Sequence, residues 1–245
     1  MIRSKTHVVL IPAFNPGRLL AATVEGALRF WGEVWVVVDG STDGSHDSLA
    51  AAGRPGLRVI VLPGNGGKGR AVLEGSVSAL AAGFTHALVM DADGQHPAAR
   101  IGDFMASSAA APGAVICGRP VFGPEAPRAR LYGRKLSVGL VRMETSGMGA
   151  ADPLFGFRVY PLAPLVAVLG ATRGARRYDF DPEVAVRLAW AGTPAINLDA
   201  ECVYVPRERG GVSHFRYLRD NLTMVAMHAR LIAALLTGQR SPRAA

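Results

Sequence analysis

Hydrophobic and polar positions divide the first half of the chain into short apolar runs and longer alanine-rich segments. The apolar runs are rich in β-branched residues, as strands are, and the segments between them have helical patterns. The runs read VVLIPAF, VWVVVDG, LRVIVLPG, HALVMDADG and AVICG, and the predicted crossover helices span Pro16 to Trp31, Ser45 to Ala52 and Lys68 to Ala82. Continuous apolar strands that alternate with helices predict an α/β fold, with a mostly parallel central sheet and helices on both faces.

The second half of the chain is less regular. Residues 118–152 are rich in Gly, Pro and Arg, and we expect them to form a substrate-facing excursion with one helix around Pro127 to Met143. DPLFGFRVYP then predicts a loop, and YDFDPE predicts a helix that Asp181 starts, with Pro182 at its first position. AINLDAECVYV alternates as a strand does.

A last helix is predicted from His214 to about Leu236. We expect residues 1–212 to form one domain, and 213–245 to form this helix and a polar tail. Steps of three and four residues give the helix one apolar stripe, made of Phe215, Leu218, Leu222, Val225, Ala229, Ile232 and Leu236. Its arginines allow it to lie on an anionic membrane. We favour the alternative, in which the stripe packs on its own domain or on a symmetry mate as a homodimer.

Composition and charge narrow the classes of function. The chain has 245 residues, of which 49% are hydrophobic, a size that suits one α/β domain. Its net charge of +8 favours anionic partners. Nucleic-acid binding would rest on this charge alone, without a recognised motif, so we predict no nucleic-acid partner.

Cellular location is predicted from the cysteines and the apolar runs. Cys117 and Cys202 lie in apolar stretches without metal-ligand spacing, which indicates reduced core residues. The N-terminal apolar run is too short for a signal peptide, and no run reaches the length of a membrane span. We therefore expect a cytoplasmic protein that is either soluble or peripheral on the inner face of the membrane, in the second case through the last helix.

Two carboxylates, Asp91 and Asp93, follow the predicted strand HALVM directly. Mg²⁺ prefers such oxygen ligands and usually takes one or two carboxylates together with the phosphates of its substrate. Two aspartates in a turn are often there only to cap the turn and bind no metal. Here, however, Gln95 and His96 add two further potential ligands. The sequence therefore predicts a site for Mg²⁺ or Mn²⁺ bound with a diphosphate.

Further polar residues follow the other predicted strands. Asn15 and Asp39 come at the ends of the first two, where a ligand would sit, and Asp39 could accept hydrogen bonds from a ribose or base. NGGKG, at residues 65–69, opens a helix with backbone amides and the Lys68 ammonium, which suits either phosphate binding or helix capping. It is not a Walker A loop, because no Ser or Thr follows Lys68.

Taken in order, the motifs PAFN, VDGSTD, NGGKGRA, DADGQH and DPLFGFR resemble those of the family 2 glycosyltransferases. The resemblance is strongest to the branch around dolichol-phosphate mannose synthase and the bacterial polyprenyl-phosphate glycosyltransferases. It covers about Val8 to Phe215. It implies a GT-A fold and transfer of a sugar from a UDP-, GDP- or dTDP-linked donor with inversion at the anomeric carbon. The acceptor stays open: the branch includes lipid and lipid-linked acceptors, but no transmembrane helices follow the domain here, unlike in many polyprenyl-phosphate enzymes.

The resemblance also implies roles for single residues. Pro12, Ala13 and Asp39 would line the nucleotide pocket, and Asp91, Asp93 and Gln95 would hold the metal. Asp152 would be the catalytic base near the acceptor, with Asp179 and Asp181 as second choices. His214 would touch the acceptor or the diphosphate. The candidate phosphate contacts are Arg119, Arg134, Arg158, Arg207 and Arg209.

The chain departs from the family pattern at two positions. Pro16 follows Asn15 where the family has an acidic residue, and Val38 precedes Asp39 where the family has a second Asp. Other enzyme classes fit less well. A sugar-nucleotide pyrophosphorylase needs a glycine-rich loop after the first strand, and a Rossmann dehydrogenase needs G-x-G-x-x-G there. A catalytically silent nucleotide-sugar-binding module stays open as the alternative.

Overall fold

A seven-stranded sheet forms the centre of the computed structural model, which describes residues 2–123, 128–203 and 217–239, with the backbone alone at 128–133 and 217. The strands are β1 (His7–Ala13), β2 (Val34–Asp39), β3 (Leu57–Leu62), β4 (His86–Val89), β5 (Val115–Phe122), β6 (Arg158–Pro161) and β7 (Ala195–Cys202). Their order is β3-β2-β1-β4-β6-β5-β7, and β6 runs antiparallel to both neighbours. The predicted α/β class and the mostly parallel sheet are confirmed.

Helices cover both faces of the sheet. They are α1 (Leu19–Phe30), α2 (Asp47–Ala51), α3 (Lys68–Ala81), α4 (Ile101–Ala110), α5 (Arg128–Glu144), α6 (Leu162–Ala171), α7 (Phe180–Trp190) and α8 (Tyr217–Leu236). Alternate residues of the inner strands point to opposite faces. Val9 and Ile11 of β1 pack with α1 and α4, whereas Val8 and Leu10 pack with α3, α6 and α7. The sheet is therefore buried on both faces.

Several elements differ from the sequence-based prediction. The first helix begins at Leu19 instead of Pro16, because Asn15 and Gly17 have positive φ angles and form a turn before it. The second is shorter than predicted and ends at Ala51. Helices α4 and α6 were not predicted, and neither was β6, whose four buried residues were taken for a loop. In α6 the sequence LAPLVAVLGA is apolar throughout, so it has no helical period to detect.

The antiparallel strand β6 decides what lies at the carboxyl edge of the sheet. Val89, the last residue of β4, pairs with Arg158, the first residue of β6. The loop that precedes β6 therefore reaches the edge at which β4 ends. This places residues 152–157 beside the turn that carries Asp91 and Asp93.

The last helix packs on the domain through a different face from the one predicted. Met227 and Leu231 of α8 are buried against Val141 of α5 and Val186 of α7. Buried His228 also approaches the Glu144 carboxylate, with 2.9 Å between Nδ1 and Oε1. The predicted apolar stripe instead faces outward, with exposed fractions of 76% for Leu218, 60% for Leu222, 66% for Val225 and 81% for Leu236. The expectation that the stripe packs on its own domain is wrong.

Two further expectations concern the cysteines and the membrane. Cys117 is buried, Cys202 is half-buried, and neither forms a disulfide in the described part of the chain. Among the described residues, none of the helices combines the length and the apolar character needed to cross a bilayer.

Candidate active site

Three charged side chains meet at the carboxyl edge of the sheet. Lys68, the first residue of α3, places its Nζ 2.7 Å from Oδ1 of Asp91 and 2.7 Å from Oδ2 of Asp181. Burial acts to lower the pKa of Lys68, but the charges of Asp181 and Asp91 outweigh it, so this pKa lies above its ordinary value. Burial acts to raise the pKa of Asp91, but Lys68 and then His96 outweigh it, so this pKa is lowered. Lys68 and Asp91 therefore stay charged at neutral pH.

His96 holds Asp91 in place. The Asp91 backbone N–H donates to Nδ1 of His96 over 2.9 Å, and the imidazole Nε2 lies 3.7 Å from Oδ2 of the same aspartate. The ring lies edge-on to Phe155 and tilted against Phe157, with centroid distances of 4.8 and 5.4 Å. Burial lowers the pKa of His96. The sequence suggested His96 as a metal ligand, but its contacts make it a support for Asp91.

Asp93 completes the acidic turn. Its Oδ1 accepts a hydrogen bond from the backbone N–H of Gln95 over 3.0 Å. Burial raises the pKa of Asp93, and the nearby negative charge of Asp91 raises it further. Two carboxylates that repel each other in a partly buried turn form a position where a cation is stabilised.

A divalent cation fits this turn only if the substrate supplies further ligands. In the described part of the chain, no group of three or more His, Cys, Asp or Glu side chains is placed to hold a metal ion. The Asp91 and Asp93 carboxylates therefore match the arrangement in which one or two carboxylates and substrate phosphates share Mg²⁺. Gln95 lies in the same turn and stays a predicted ligand.

Gly156 is a site residue that sequence reasoning missed. A Cβ atom at this position would lie 2.5 Å from Nζ of Lys68 and 3.2 Å from Oδ1 of Asp181 and Oδ2 of Asp91. Only a residue without a side chain leaves room for the three charged groups to meet. The glycine of LFGFR was visible in the sequence, but its neighbours come from α3, the β4 turn and α7, so no local signal identified it.

Asp181 and Asp179 have different environments, although the sequence offered both as bases. Oδ1 of Asp181 is buried and has no hydrogen-bond partner among the residues that the structure describes. The Asp179 carboxylate accepts hydrogen bonds from the backbone amides of Ala175, Arg176 and Arg177, at 2.8–3.2 Å. Asp179 therefore holds the loop before α7, whereas Asp181 keeps one oxygen without a hydrogen-bond partner in the described residues.

Asp152, the predicted base, is engaged by the protein. Its Oδ2 accepts a hydrogen bond from Arg134, and its Oδ1 accepts one from the Leu154 amide over 2.9 Å. The Arg134 guanidinium lies over the Phe122 ring, 5.2 Å from the centroid, and its buried Nη2 has no partner in the described residues. Arg134 therefore keeps one donor for an anionic substrate, whereas both Asp152 oxygens already accept hydrogen bonds.

Arg158 is not placed to contact phosphate, as the sequence had suggested, because its side chain is completely buried. Its guanidinium donates to backbone carbonyls in two segments that border the site and to the Tyr160 hydroxyl. Arg158 therefore fixes the loop before β6 against the start of α7. The carbonyls belong to Asp152 (3.2 Å), Pro153 (2.7 Å), Phe155 (3.0 Å) and Asp181 (2.8 Å).

Asp39 also has a role different from the predicted one. This buried carboxylate accepts hydrogen bonds from the backbone amides of Gly66, at 2.9 and 3.1 Å, and of Gly67, at 2.6 Å. The Gly69 amide donates to the Arg176 carbonyl over 2.9 Å. Amides predicted to bind phosphate are thus already bonded within the protein. Lys68 is the part of NGGKG that reaches the site.

The glycines of this loop are required by a close approach. Gly67 has a φ angle of 92°, and a Cβ atom there would lie 2.2 Å from the Arg176 carbonyl oxygen. At Gly69 a Cβ atom would lie 1.7 Å from the Ala175 carbonyl oxygen. The loop before α7 therefore packs directly on the start of α3, which brings Asp181 to Lys68.

Pro12, Ala13 and Asn15 lie at the end of β1, next to the end of β2, as the sequence predicted. Oδ1 of Asn15 accepts a hydrogen bond from the Thr42 amide over 2.8 Å, and the Asn15 amide donates to the Ser41 hydroxyl over 3.0 Å. These bonds join the loops that follow β1 and β2. Because β1 also pairs with β4, the end of β1 lies beside the turn that carries Asp91.

The remaining predicted contacts fall into two groups. Arg119 forms an ion pair with Asp199 on the exposed surface of β5 and β7, with 2.5 Å between Nε and Oδ1. No contact of Arg119 with the acidic turn is found in the described residues. Arg207, Arg209 and His214 lie outside the described residues.

Several solved structures are similar to this chain in fold. A search of curated protein sequences finds no match to the chain. Among solved structures, glucosyl-3-phosphoglycerate synthase from Mycobacterium tuberculosis, in complex with Mn²⁺, UDP-glucose and phosphoglyceric acid, is similar, with a TM-score of 0.64 and 19% identity. The match covers 98% of this chain and 81% of that one.

S. aureus TarS, residues 1–349 in complex with UDP-GlcNAc, has a TM-score of 0.53 and 15% identity, over 91% of this chain and 65% of that one. These identities show the GT-A fold alone. The family model described as glycosyl transferase family 2 matches residues 8–162, which is more than half of the chain. The chain therefore belongs to glycosyltransferase family 2.

Proposed function

We propose that this protein is an inverting glycosyltransferase that moves a sugar from a nucleotide-diphosphate donor to an acceptor. The observation that carries the proposal is the arrangement of Asp91, Asp93 and Lys68 at the carboxyl end of β4, in a member of this family. Two carboxylates for a cation and one ammonium are the groups that a leaving diphosphate requires.

In the proposed complex, Asp91, Asp93 and Gln95 hold Mg²⁺ or Mn²⁺ on the diphosphate. The cation supplies Lewis-acid stabilisation of the leaving nucleoside diphosphate. Lys68, already charged and held by Asp91 and Asp181, adds a second positive charge at the same place. Family membership and the Mn²⁺ in the M. tuberculosis relative support this assignment.

The donor is best sought first among UDP-sugars. The M. tuberculosis structure contains UDP-glucose, and the TarS structure contains UDP-GlcNAc. In this chain, the nucleotide would lie along Pro12, Ala13 and Asn15, at the ends of β1 and β2. GDP- and dTDP-sugars are the comparison donors.

We assign the general base to Asp181 instead of Asp152, the first choice from the sequence. Asp181 Oδ1 is buried, has no partner in the described residues, and faces Gly156, the residue whose missing side chain lets Lys68, Asp91 and Asp181 meet. In the proposed step, an acceptor hydroxyl gives its proton to Asp181 as its oxygen attacks the anomeric carbon. The bond from that carbon to the diphosphate breaks on the opposite face, which inverts the configuration.

The acceptor class decides whether this base is needed. A hydroxyl acceptor must lose a proton, and general-base catalysis typically contributes about 10²- to 10⁴-fold. A polyprenyl phosphate, as in the branch that the motifs resemble, is already anionic and needs no base. The free Nη2 donor of Arg134 suits a phosphate-bearing acceptor of either kind, since guanidinium groups bind phosphate well.

The test is a transfer assay with purified protein, Mn²⁺ and UDP-glucose. The acceptors are phosphoglyceric acid, as in the relative, and a polyprenyl phosphate in detergent. We expect transfer with inverted anomeric configuration, measured by NMR, and loss of transfer in Asp93→Ala. Donor binding without transfer to any acceptor would instead indicate the silent binding module.

The role of Asp181 is tested in the same assay. Asp181→Asn should reduce kcat by at least about 100-fold with a hydroxyl acceptor, while donor affinity changes only a few-fold. Asp152→Asn is the matched variant, because an amide oxygen can still accept from Arg134 or Leu154. A larger loss of kcat in Asp152→Asn than in Asp181→Asn would return the base to Asp152.

A further inference from the structure

The outward face of α8 carries an apolar stripe that no other described part of the chain covers. Leu218, Leu222, Val225 and Leu236 are 60–81% exposed, and Ala229 is exposed between them. The opposite face of the helix is occupied, because Met227 and Leu231 are buried against α5 and α7. Both faces of α8 are therefore apolar, but among the described residues only one of them has a packing partner.

The spacing of the stripe fits another helix. Its members follow one another at steps of four, three, four, three and four residues, from Leu218 to Leu236. These steps average 3.6 residues, the period of the α-helix itself, so the members lie along one face of α8, where a second helix can pack on them. The small side chain of Ala229, near the middle of the stripe, permits close approach of a second backbone.

The charges on α8 fit a second copy better than an anionic lipid surface. Only three residues of the helix are Lys, Arg, Asp or Glu, and both arginines have acidic partners. Arg219 pairs with Asp220 at 2.9 Å, and Arg230 pairs with Glu183 at 3.0 Å. Helices that lie on membranes present many unpaired basic residues. An uncharged stripe, in contrast, meets an identical stripe without repulsion.

The exposed apolar surface of the stripe is also large enough for a dimer interface. From the exposed fractions of the four large side chains, two copies of the stripe offer roughly 1,000 Å² of accessible surface, the size at which specific interfaces begin. We infer that the chain forms a two-fold symmetric homodimer in which the α8 stripes of two copies pack against each other. Such an isologous contact uses the same patch on both subunits.

The test is the molar mass in solution, measured by light scattering during size exclusion. The chain has a mass of 25.7 kDa, so a dimer gives about twice that value. Val225→Glu should weaken the dimer by at least about 100-fold, because each interface then contains two like charges. The matched control is Val77→Glu, at a valine of helix α3 that is 46% exposed, and it should leave the dimer unchanged.

A second substitution separates the two possible partners. Val225→Lys also places like charges in a dimer and should dissociate it, but it would retain binding to an anionic bilayer. Circular dichroism confirms that each variant is folded, and vesicles of phosphatidylcholine and phosphatidylglycerol in equal parts provide the bilayer. A wild-type monomer, or a dimer that survives both Val225 substitutions, would overturn the inference. The inference would also be overturned if the chain is a monomer that binds the vesicles, with binding lost in Val225→Glu and kept in Val225→Lys. That result would show that the stripe binds a membrane.

Discussion

Replacement of Lys68 by Met tests whether the charged cluster is built as described. In the wild-type protein, one ammonium group lies between the carboxylates of Asp91 and Asp181, at 2.7 Å from each. Methionine has a similar length and no charge. The variant therefore leaves two negative groups side by side in a partly buried site.

The expected loss of stability follows from these distances. At an effective dielectric constant of about 20, each pair at 2.7 Å contributes about 6 kcal/mol before desolvation is subtracted. Removal of one partner of a buried ion pair costs about 3 to 5 kcal/mol in measured cases. Because the three side chains are 15–33% exposed, water screens the cluster. We therefore expect Lys68→Met to lower the free energy of unfolding by about 3 kcal/mol.

Urea denaturation at neutral pH measures this loss. Lys5→Met is the matched control, at an exposed lysine, and should stay within about 0.5 kcal/mol of wild type. In the double variant with Asp181→Asn, one of the two unpaired charges is gone, so the effects should be non-additive by at least about 1 kcal/mol. A loss below about 1 kcal/mol in Lys68→Met, or additive effects in the double variant, would refute this description of the cluster.

Three other predictions concern stability. Arg158→Met should lower the free energy of unfolding in urea by about 3 kcal/mol or more, because four backbone carbonyls lose a charged donor; a loss below about 1 kcal/mol would contradict the bonds described. Asp39→Asn should cost about 1 to 2 kcal/mol in the same assay, because an amide has one accepting oxygen for the Gly66 and Gly67 amides; a variant as stable as wild type would argue against these bonds. Burial, with the neighbouring His86, lowers the pKa of His7 from 6.5 to about 4, so the folded state binds fewer protons than the unfolded state. Neutral His7 therefore makes its full contribution to the free energy of unfolding above pH 6.5, and this contribution is lost as the pH falls toward 4. The loss reaches about 2 kcal/mol at pH 5. The free energy of unfolding of His7→Gln, measured in urea over the same pH range, should lack this decrease.

The parallel part of the fold could be predicted because its signal is local. Each of β1, β2 and β4 is an apolar run that ends in a polar turn, and α3 begins at the Lys68 predicted for it. Strand β6 escaped prediction because its four residues are buried through pairing with β4 and β5, which lie far away in the sequence. Pairing partners of this kind leave no period in the strand itself.

The candidate site was predicted in part for the same reason. Asp91, Asp93 and Lys68 follow the ends of strands, so residue type and position were enough. Residue type could not show that the side chains of Arg158 and Asp39 form their hydrogen bonds with the protein backbone. That distinction depends on burial and on the carbonyls and amides nearby, which come from other elements.

The orientation of α8 could not be predicted from the sequence, because the helix is apolar on two faces. One face carries Met227 and Leu231, and the other carries Leu222 and Val225. Periodicity identified the second set as a stripe but could not say which set meets the domain. Packing against α5 and α7 selected the first set and left the stripe exposed.

Calorimetric titration with UDP-glucose and UDP-GlcNAc, with and without Mn²⁺, tests the central claim most directly. The variants are Asp93→Ala in the site and Asp103→Ala as a matched control, at an aspartate of α4 whose side chain is 62% exposed. We predict that one donor binds only when Mn²⁺ is present, that Asp93→Ala abolishes this binding, and that Asp103→Ala preserves it. Failure of the folded wild-type protein to bind any UDP-, GDP- or dTDP-sugar, or equal binding by Asp93→Ala, would contradict the account.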